Sequence, residues 1–185
     1  MSDFPAINAL LFGLRDCLVD STTVQLTPGA LQTLDGLKQQ HIPCAWIDEL
    51  TEADALQLSS PLPSWLKAQY QAPTPWPAPD ACWHALMTLK APSLDGCVLV
   101  SGDPRLLQSG LNAGLWTVGV ATCTSPCRAD SLKWQALSLQ EQERERGKAT
   151  LQLFALGVHS VIGHLEALGD CLNDIAQRRI KGEKP

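Results

Sequence analysis

Near its amino terminus the chain reads Ile7-Asn8-Ala9-Leu10-Leu11-Phe12 and then Gly13-Leu14-Arg15-Asp16-Cys17-Leu18-Val19-Asp20. A short run that is apolar at nearly every position, not at every second one, is covered on both faces, as strands of a parallel sheet are. Residues 7–12 therefore predict a buried first strand, and the glycine and charges behind it predict a turn at its carboxyl end. Helical signals follow. Thr27 supplies an N-cap and Pro28 a first helical position, with Leu31, Leu34 and Leu37 on one face until about His41. Pro43 then opens a second strand, Cys44-Ala45-Trp46-Ile47.

The alternation continues. Residues 51–58 predict a short helix capped by Thr51. Pro61, Pro63, Pro73, Pro75, Pro77 and Pro79 make residues 59–79 a mostly extended connection, with a short edge strand around Trp65. A helix over 80–90 directs Trp83, Leu86 and Met87 inward. Cys97-Val98-Leu99-Val100 is the next strand, closed by a turn at Gly102-Asp103-Pro104. Leu107, Gly110, Leu111 and Gly114 mark a helix packed closely at its glycines, and residues 115–121 form another strand. The charged run 140–148 opens a solvated helix that turns apolar at 151–156, and residues 158–162 give a last short strand. Leu165, Leu168, Leu172 and Ile175 trace an amphipathic final helix, with Arg178, Arg179 and Lys181 at the end where the helix dipole favours cations. Strands alternating with helices predict an α/β, Rossmann-like three-layer sandwich on a mostly parallel sheet, as a single domain over residues 1–185.

With 185 residues, 45% hydrophobic and 18% charged, the chain can bury a core without disulfides or zinc. A net charge of −5 with dispersed Lys and Arg argues against nucleic acid as a partner. No apolar run is long enough to span a bilayer and Met1-Ser2-Asp3-Phe4-Pro5 is no signal peptide, so no membrane role and a cytoplasmic location are expected. Cys17, Cys44, Cys82, Cys97, Cys123, Cys127 and Cys171 are odd in number and lack a Cys-x-x-Cys pair, which reads as structural, reduced thiols.

Several strings carry a resemblance. Leu111-Asn112-Ala113-Gly114-Leu115-Trp116-Thr117-Val118-Gly119-Val120, Gly157-Val158-His159-Ser160-Val161-Ile162, Ile180-Lys181-Gly182-Glu183-Lys184-Pro185, Pro28-Gly29-Ala30 through Ile42-Pro43, and Trp76-Pro77-Ala78-Pro79-Asp80 are similar to the haloacid dehalogenase superfamily, and within it to the phosphonoacetaldehyde hydrolase branch. The resemblance implies four groups at strand ends. These are an aspartate nucleophile after the first strand, a Ser or Thr after the second, a lysine before the third helix, and aspartates for Mg²⁺ after the fourth. Placing a carboxylate beside a phosphate requires that Mg²⁺ and that lysine.

This chain departs at each of those positions. Gly13 stands at the nucleophile, Arg15 at the acid/base position, Asp48 at the Ser/Thr, Trp76 at the lysine and Gly102 at the first metal aspartate, with Leu106 at the later acidic position. The family's helical cap, which in this branch brings a Schiff-base lysine, has only the seven residues 21–27 in its place, and no lysine precedes Lys38. The expected function is therefore non-catalytic: a pseudoenzyme core serving as a binding, regulatory or assembly module, with no catalytic residues and no cofactor. The alternative is a rebuilt hydrolase site, of phosphatase or phosphonatase type, in which Asp16, Asp20, Asp48 and Asp103 gather at the carboxyl edge of the sheet and hold Mg²⁺ or Ca²⁺. In the non-catalytic reading Arg15 pairs with Asp48 or Asp103 and the cleft closes. A Cys–His hydrolase on Cys17 lacks an evident base, and His159 reads as a packed strand residue. Trp65 and Trp76 are expected at the surface, where they favour a homodimer; the competing expectation is that the Pro-rich segment 59–79 folds over the cleft and buries Trp76, and the identity of a protein partner or small ligand is not written in the residues.

Overall fold

A computed structural model describes residues 7–124, 134 and 136–185. Its centre is β1 (Ala9–Gly13), flanked by β4 (Cys44–Ile47) and β6 (Cys97–Ser101). With β5 (Lys67–Gln69), β7 (Trp116–Val120) and β8 (Ser160–Ile162) these strands make a six-stranded sheet ordered β5-β4-β1-β6-β7-β8, parallel throughout. Every residue of β1, β4, β6 and β7 is buried, as strands covered on both faces require.

Alternate side chains serve alternate faces. Leu10, Phe12, Val98, Val100, Trp116 and Val118 point to one face, where α1 (Ala30–Gln39) brings Leu34 and Leu37 and α6 (Leu168–Ile180) brings Leu172 and Ile175. Ala9, Leu11, Cys97 and Leu99 point to the other, against Ala81, Cys82, Ala85 and Leu86 of α3 (Asp80–Thr88) and Leu106 of α4 (Pro104–Asn112). Gly110 of α4 is needed there. A Cβ on it would lie 2.5 Å from Leu99 and 2.9 Å from Thr117. Two further helices complete the layers, α2 (Glu52–Leu58) behind its Thr51 cap and α5 (Leu139–Leu156) behind a Ser138–Glu141 capping box.

Some expectations need correction. α1 begins at Ala30 behind Gly29, whose φ of 78° only glycine adopts cheaply, and Thr27 does not cap it. The Thr27 hydroxyl donates instead to the carbonyls of Cys17 and Leu18. The edge strand lies at Lys67–Gln69, just past Trp65. On α3, Leu86 is buried, but Trp83 and Met87 are 42% and 65% exposed. Trp76 is buried at 5% and Trp65 half-buried under Lys38, so neither is the exposed aromatic expected. Gly114 lies beyond α4, at φ 76°. Between Asp20 and Pro28 the chain makes a small antiparallel hairpin, β2 (Val19–Asp20) with β3 (Gln25–Leu26), which sequence periodicity did not announce. Cys127 lies outside the described residues; Cys17, Cys44, Cys82, Cys97, Cys123 and Cys171 are free and buried. Among the described residues no helix is long and apolar enough to cross a membrane.

Candidate functional site

Parallel strands send their following loops to one edge of the sheet, and here that edge collects the positions singled out in the sequence. Gly13 ends β1 beside Ile47, Asp48 follows β4, and Gly102 follows β6. Asp48 is the best-held side chain among them, 4% exposed. Its Oδ1 accepts from Arg15 Nε at 2.9 Å, Arg15 Nη2 at 2.6 Å and the Glu49 N–H at 2.7 Å. Its Oδ2 accepts from Arg15 Nε at 3.0 Å and the Arg15 N–H at 3.1 Å. A guanidinium fork on a carboxylate is among the stronger polar contacts, because both partners are charged and the geometry is fixed. The Asp48 hydrogen bond, helped by the charges of Asp48, Asp103 and Asp16 against burial, raises the Arg15 pKa further.

The two glycines are backed by neighbouring elements. A Cβ on Gly13 would meet Ser101 Oγ at 2.7 Å and Leu106 Cδ2 at 3.3 Å. Ser101 Oγ is itself fixed by accepting the Asp103 N–H at 3.0 Å. A Cβ on Gly102 would meet the backbone carbon and oxygen of Cys123, each at 2.4 Å. Cys123 ends a 3-10 turn, Ala121–Cys123, at the end of β7.

Trp76 occupies the remaining position. Its backbone N–H donates to Glu49 Oε1 at 2.5 Å and its carbonyl accepts from Arg105 Nη2 at 2.7 Å, while Arg105 Nη1 lies 3.4 Å from Glu49 Oε2. The indole packs in the apolar cluster with Ile47, Ala81, Cys82 and Leu106, and its N–H has no partner among the described residues.

The four aspartates are each engaged. Asp103 caps α4, accepting from Arg105 N at 2.8 Å and Leu106 N at 3.3 Å. Asp16, at φ 64°, accepts from Ser21 N at 2.9 Å and Ser21 Oγ at 2.8 Å. Asp20 accepts from Thr22 N at 2.8 Å and Thr23 N at 2.9 Å. Asp16 and Asp20 line one cavity beneath the hairpin, to which Asp48 and Asp103 do not contribute. Among the described residues no group of three or more His, Cys, Asp or Glu converges as a metal ion requires.

The thiols and histidines are quiet. A hydrogen bond with Cys123, and then burial, push the Cys17 thiol well above its usual range, so it offers no thiolate at neutral pH. His159 Nδ1 accepts from Thr117 N at 3.0 Å and its ring packs edge-on to Trp116 at 5.0 Å. Burial, and then Arg178, lower its pKa. These features belong to packing.

A parallel sheet in this strand order, with these positions gathered at its carboxyl edge, defines an open, Rossmann-like α/β core. The chain belongs to the haloacid dehalogenase superfamily. It is 28% identical over 192 residues to a phosphonoacetaldehyde hydrolase of Klebsiella pneumoniae, covering all of this chain and 71% of that one. A solved phosphonoacetaldehyde hydrolase-like protein from Oleispira antarctica superposes with TM-score 0.79 at 27% identity, over 89% of this chain and 62% of that one. Another solved structure, 54% identical, superposes with TM-score 0.92 over 97% of this chain and 100% of its own. No protein-family model matches.

Proposed function

We propose that this chain is a haloacid dehalogenase-type core that hydrolyses neither phosphate esters nor the carbon–phosphorus bond of phosphonates and acts as a binding, regulatory or assembly module. The observation that carries this reading is the refilled space at the former catalytic positions. The backbone of Cys123 lies where a side chain on residue 102 would start, and Ser101 and Leu106 lie where one on residue 13 would start. The residues present do not fit Mg²⁺ at the family's place: Asp48 is spent on Arg15 and two backbone N–H groups, and Asp103 is spent on the start of α4. A nucleophile, a metal and a cation act together in phosphoryl transfer, so losing one group already costs orders of magnitude in rate. The hairpin at residues 19–26, in place of an inserted cap, supports the same reading.

The test is Mg²⁺-dependent release of phosphate from an aryl phosphate and from phosphonoacetaldehyde. The expected rate equals that of a buffer blank. Turnover that disappears on replacing Asp16, Asp48 or Asp103 overturns the proposal in favour of a rebuilt site.

A further inference from the structure

We propose that Cys17 and Cys123 are an oxidation site, a thiol pair that closes reversibly into a disulfide at the carboxyl edge of the sheet. This goes beyond the reading of the chain as a binding module and does not depend on it. Cys17 lies in the turn behind β1 and Cys123 ends the turn behind β7, so the two are remote in the chain. The fold brings their thiols into hydrogen-bond contact within one buried cluster, and both are free.

The end of β6 fixes this contact from between the two turns. The Cys17 thiol donates to the Val100 carbonyl at 3.8 Å. Cys123 is pressed against the residue that follows the strand: a Cβ on Gly102 would fall 2.5 Å from the Cys123 Cβ and 2.4 Å from its carbonyl carbon. The glycine thus lets the turn behind β7 come close enough for Cys123 to reach Cys17 across the strand end. Disulfide geometry is demanding, and a pair already touching in a packed interior needs little backbone movement to meet it. The other described cysteines are engaged elsewhere. Cys44 donates to the Ile42 carbonyl at 3.3 Å, Cys97 to that of Ser93 at 3.1 Å, Cys171 bonds with Ser160, and Cys82 is enclosed in the opposite apolar layer.

The two sulfurs have unequal access. Cys17 is fully enclosed, whereas Cys123 lines the cavity of about 510 Å³ beneath the β2–β3 hairpin. Hydrogen peroxide therefore meets Cys123 first. The Cys123 sulfur attacks one peroxide oxygen, the O–O bond breaks, and a sulfenic acid and one water result. Cys17, kept protonated by its surroundings, does not react with peroxide itself, but the sulfenic sulfur forms within its reach. The Cys17 sulfur attacks that sulfur, the S–O bond breaks, and the Cys17 proton leaves with the hydroxyl as a second water. Together the thiols lose two electrons, which the peroxide takes. A dithiol reductant reverses the bond from the cavity side, attacking at Cys123 and ending as a disulfide itself.

The test treats the whole reduced protein with hydrogen peroxide, blocks the remaining thiols with N-ethylmaleimide in denaturant, and maps the peptides by tandem mass spectrometry without reduction. A Cys17–Cys123 link is expected, lost on adding dithiothreitol, with Cys44, Cys82, Cys97 and Cys171 recovered as blocked thiols. Dimedone, which captures sulfenic acids, reads the order of the steps. Cys17→Ser should carry dimedone on Cys123, and Cys123→Ser should carry none on Cys17. Because the thiols are already placed, the linked protein should also unfold at a higher urea midpoint than the reduced one. Recovery of Cys17 as a blocked thiol after peroxide overturns the proposal. So does a Cys123–Cys127 link, a Cys17–Cys123 link that forms only in urea, a lowered midpoint, or dimedone on Cys17 in the Cys123→Ser chain. The wild-type map needs no substitution, so it decides the question where a serine variant fails to fold. Phosphate release plays no part in these readouts.

Discussion

Two places at the same edge of the sheet, on either side of the β1 turn, have opposite fates. Around β1 and β4 Arg15 is locked onto Asp48, Trp76 is folded into the apolar layer and Gly13 is backed by Ser101 and Leu106. On the β7–β8 side a cavity of about 510 Å³ stays open beneath the hairpin. The residues at the first place pair or fill; those lining the second include Asp16, Asp20 and Glu166 among apolar and hydroxyl side chains. The difference fits the proposed loss of a phosphate site from a fold that keeps its strand-end geometry. The frame of parallel strands is fixed by buried apolar layers, whereas the chemistry depends on a few side chains at their ends.

The closed side can be broken by substitution. The largest effect is expected from Gly102→Ala, because the added methyl meets backbone of Cys123 that has no rotamer with which to yield. The expected cost is about 3 kcal/mol, read from the urea midpoint. A stability equal to wild type means that Cys123 moves freely and the site is not truly filled. Next comes Asp48→Ala, which strands two part-buried N–H donors and leaves a half-exposed guanidinium without its partner. About 2 kcal/mol is expected, reduced from the fully buried case by solvent around Arg15. A loss near zero contradicts the role given to this pair.

A smaller effect sharpens the other side. His159, next to β8, has a pKa lowered in the folded chain by burial and by Arg178, and its Nδ1 must stay unprotonated to accept from Thr117 N. The unfolded chain therefore takes up the proton first, so the stabilising contribution is present above about 6.5 and is lost as the pH falls below it. His159→Gln should flatten the acid limb of the stability profile measured by urea unfolding. An unchanged limb assigns the pH dependence to other groups.

How much of this could be read from the residues depended on distance along the chain. The strand Cys44–Ile47 and the helix Glu52–Leu58 with its Thr51 cap are local: an apolar run and a hydroxyl three residues before Asp54 suffice. The start of α1 was misread because the acceptors that capture Thr27 are Cys17 and Leu18, brought back by a hairpin whose strands are two residues each. Trp76 was expected outside among prolines, but Glu49 and Arg105 hold its backbone and turn the indole inward. The homodimer expectation loses the Trp76 part of its premise by this. At the site, the residues leave the partner of Arg15 open between Asp48 and Asp103, and the structure selects Asp48. The cavity was not, since its walls come from residues 16 to 166 and share no spacing.

The central claim, that the former catalytic cleft is closed by its own residues, is tested most directly by a crystal structure grown with Mg²⁺ and tungstate, an oxyanion dense enough to locate. The account predicts Arg15 still forked onto Asp48, the backbone of Cys123 against Gly102, and neither ion among Gly13, Asp48 and Gly102. Mg²⁺ bound there by Asp16, Asp48 or Asp103, or tungstate held there by that Mg²⁺ or by an Arg15 swung away from Asp48, would contradict it.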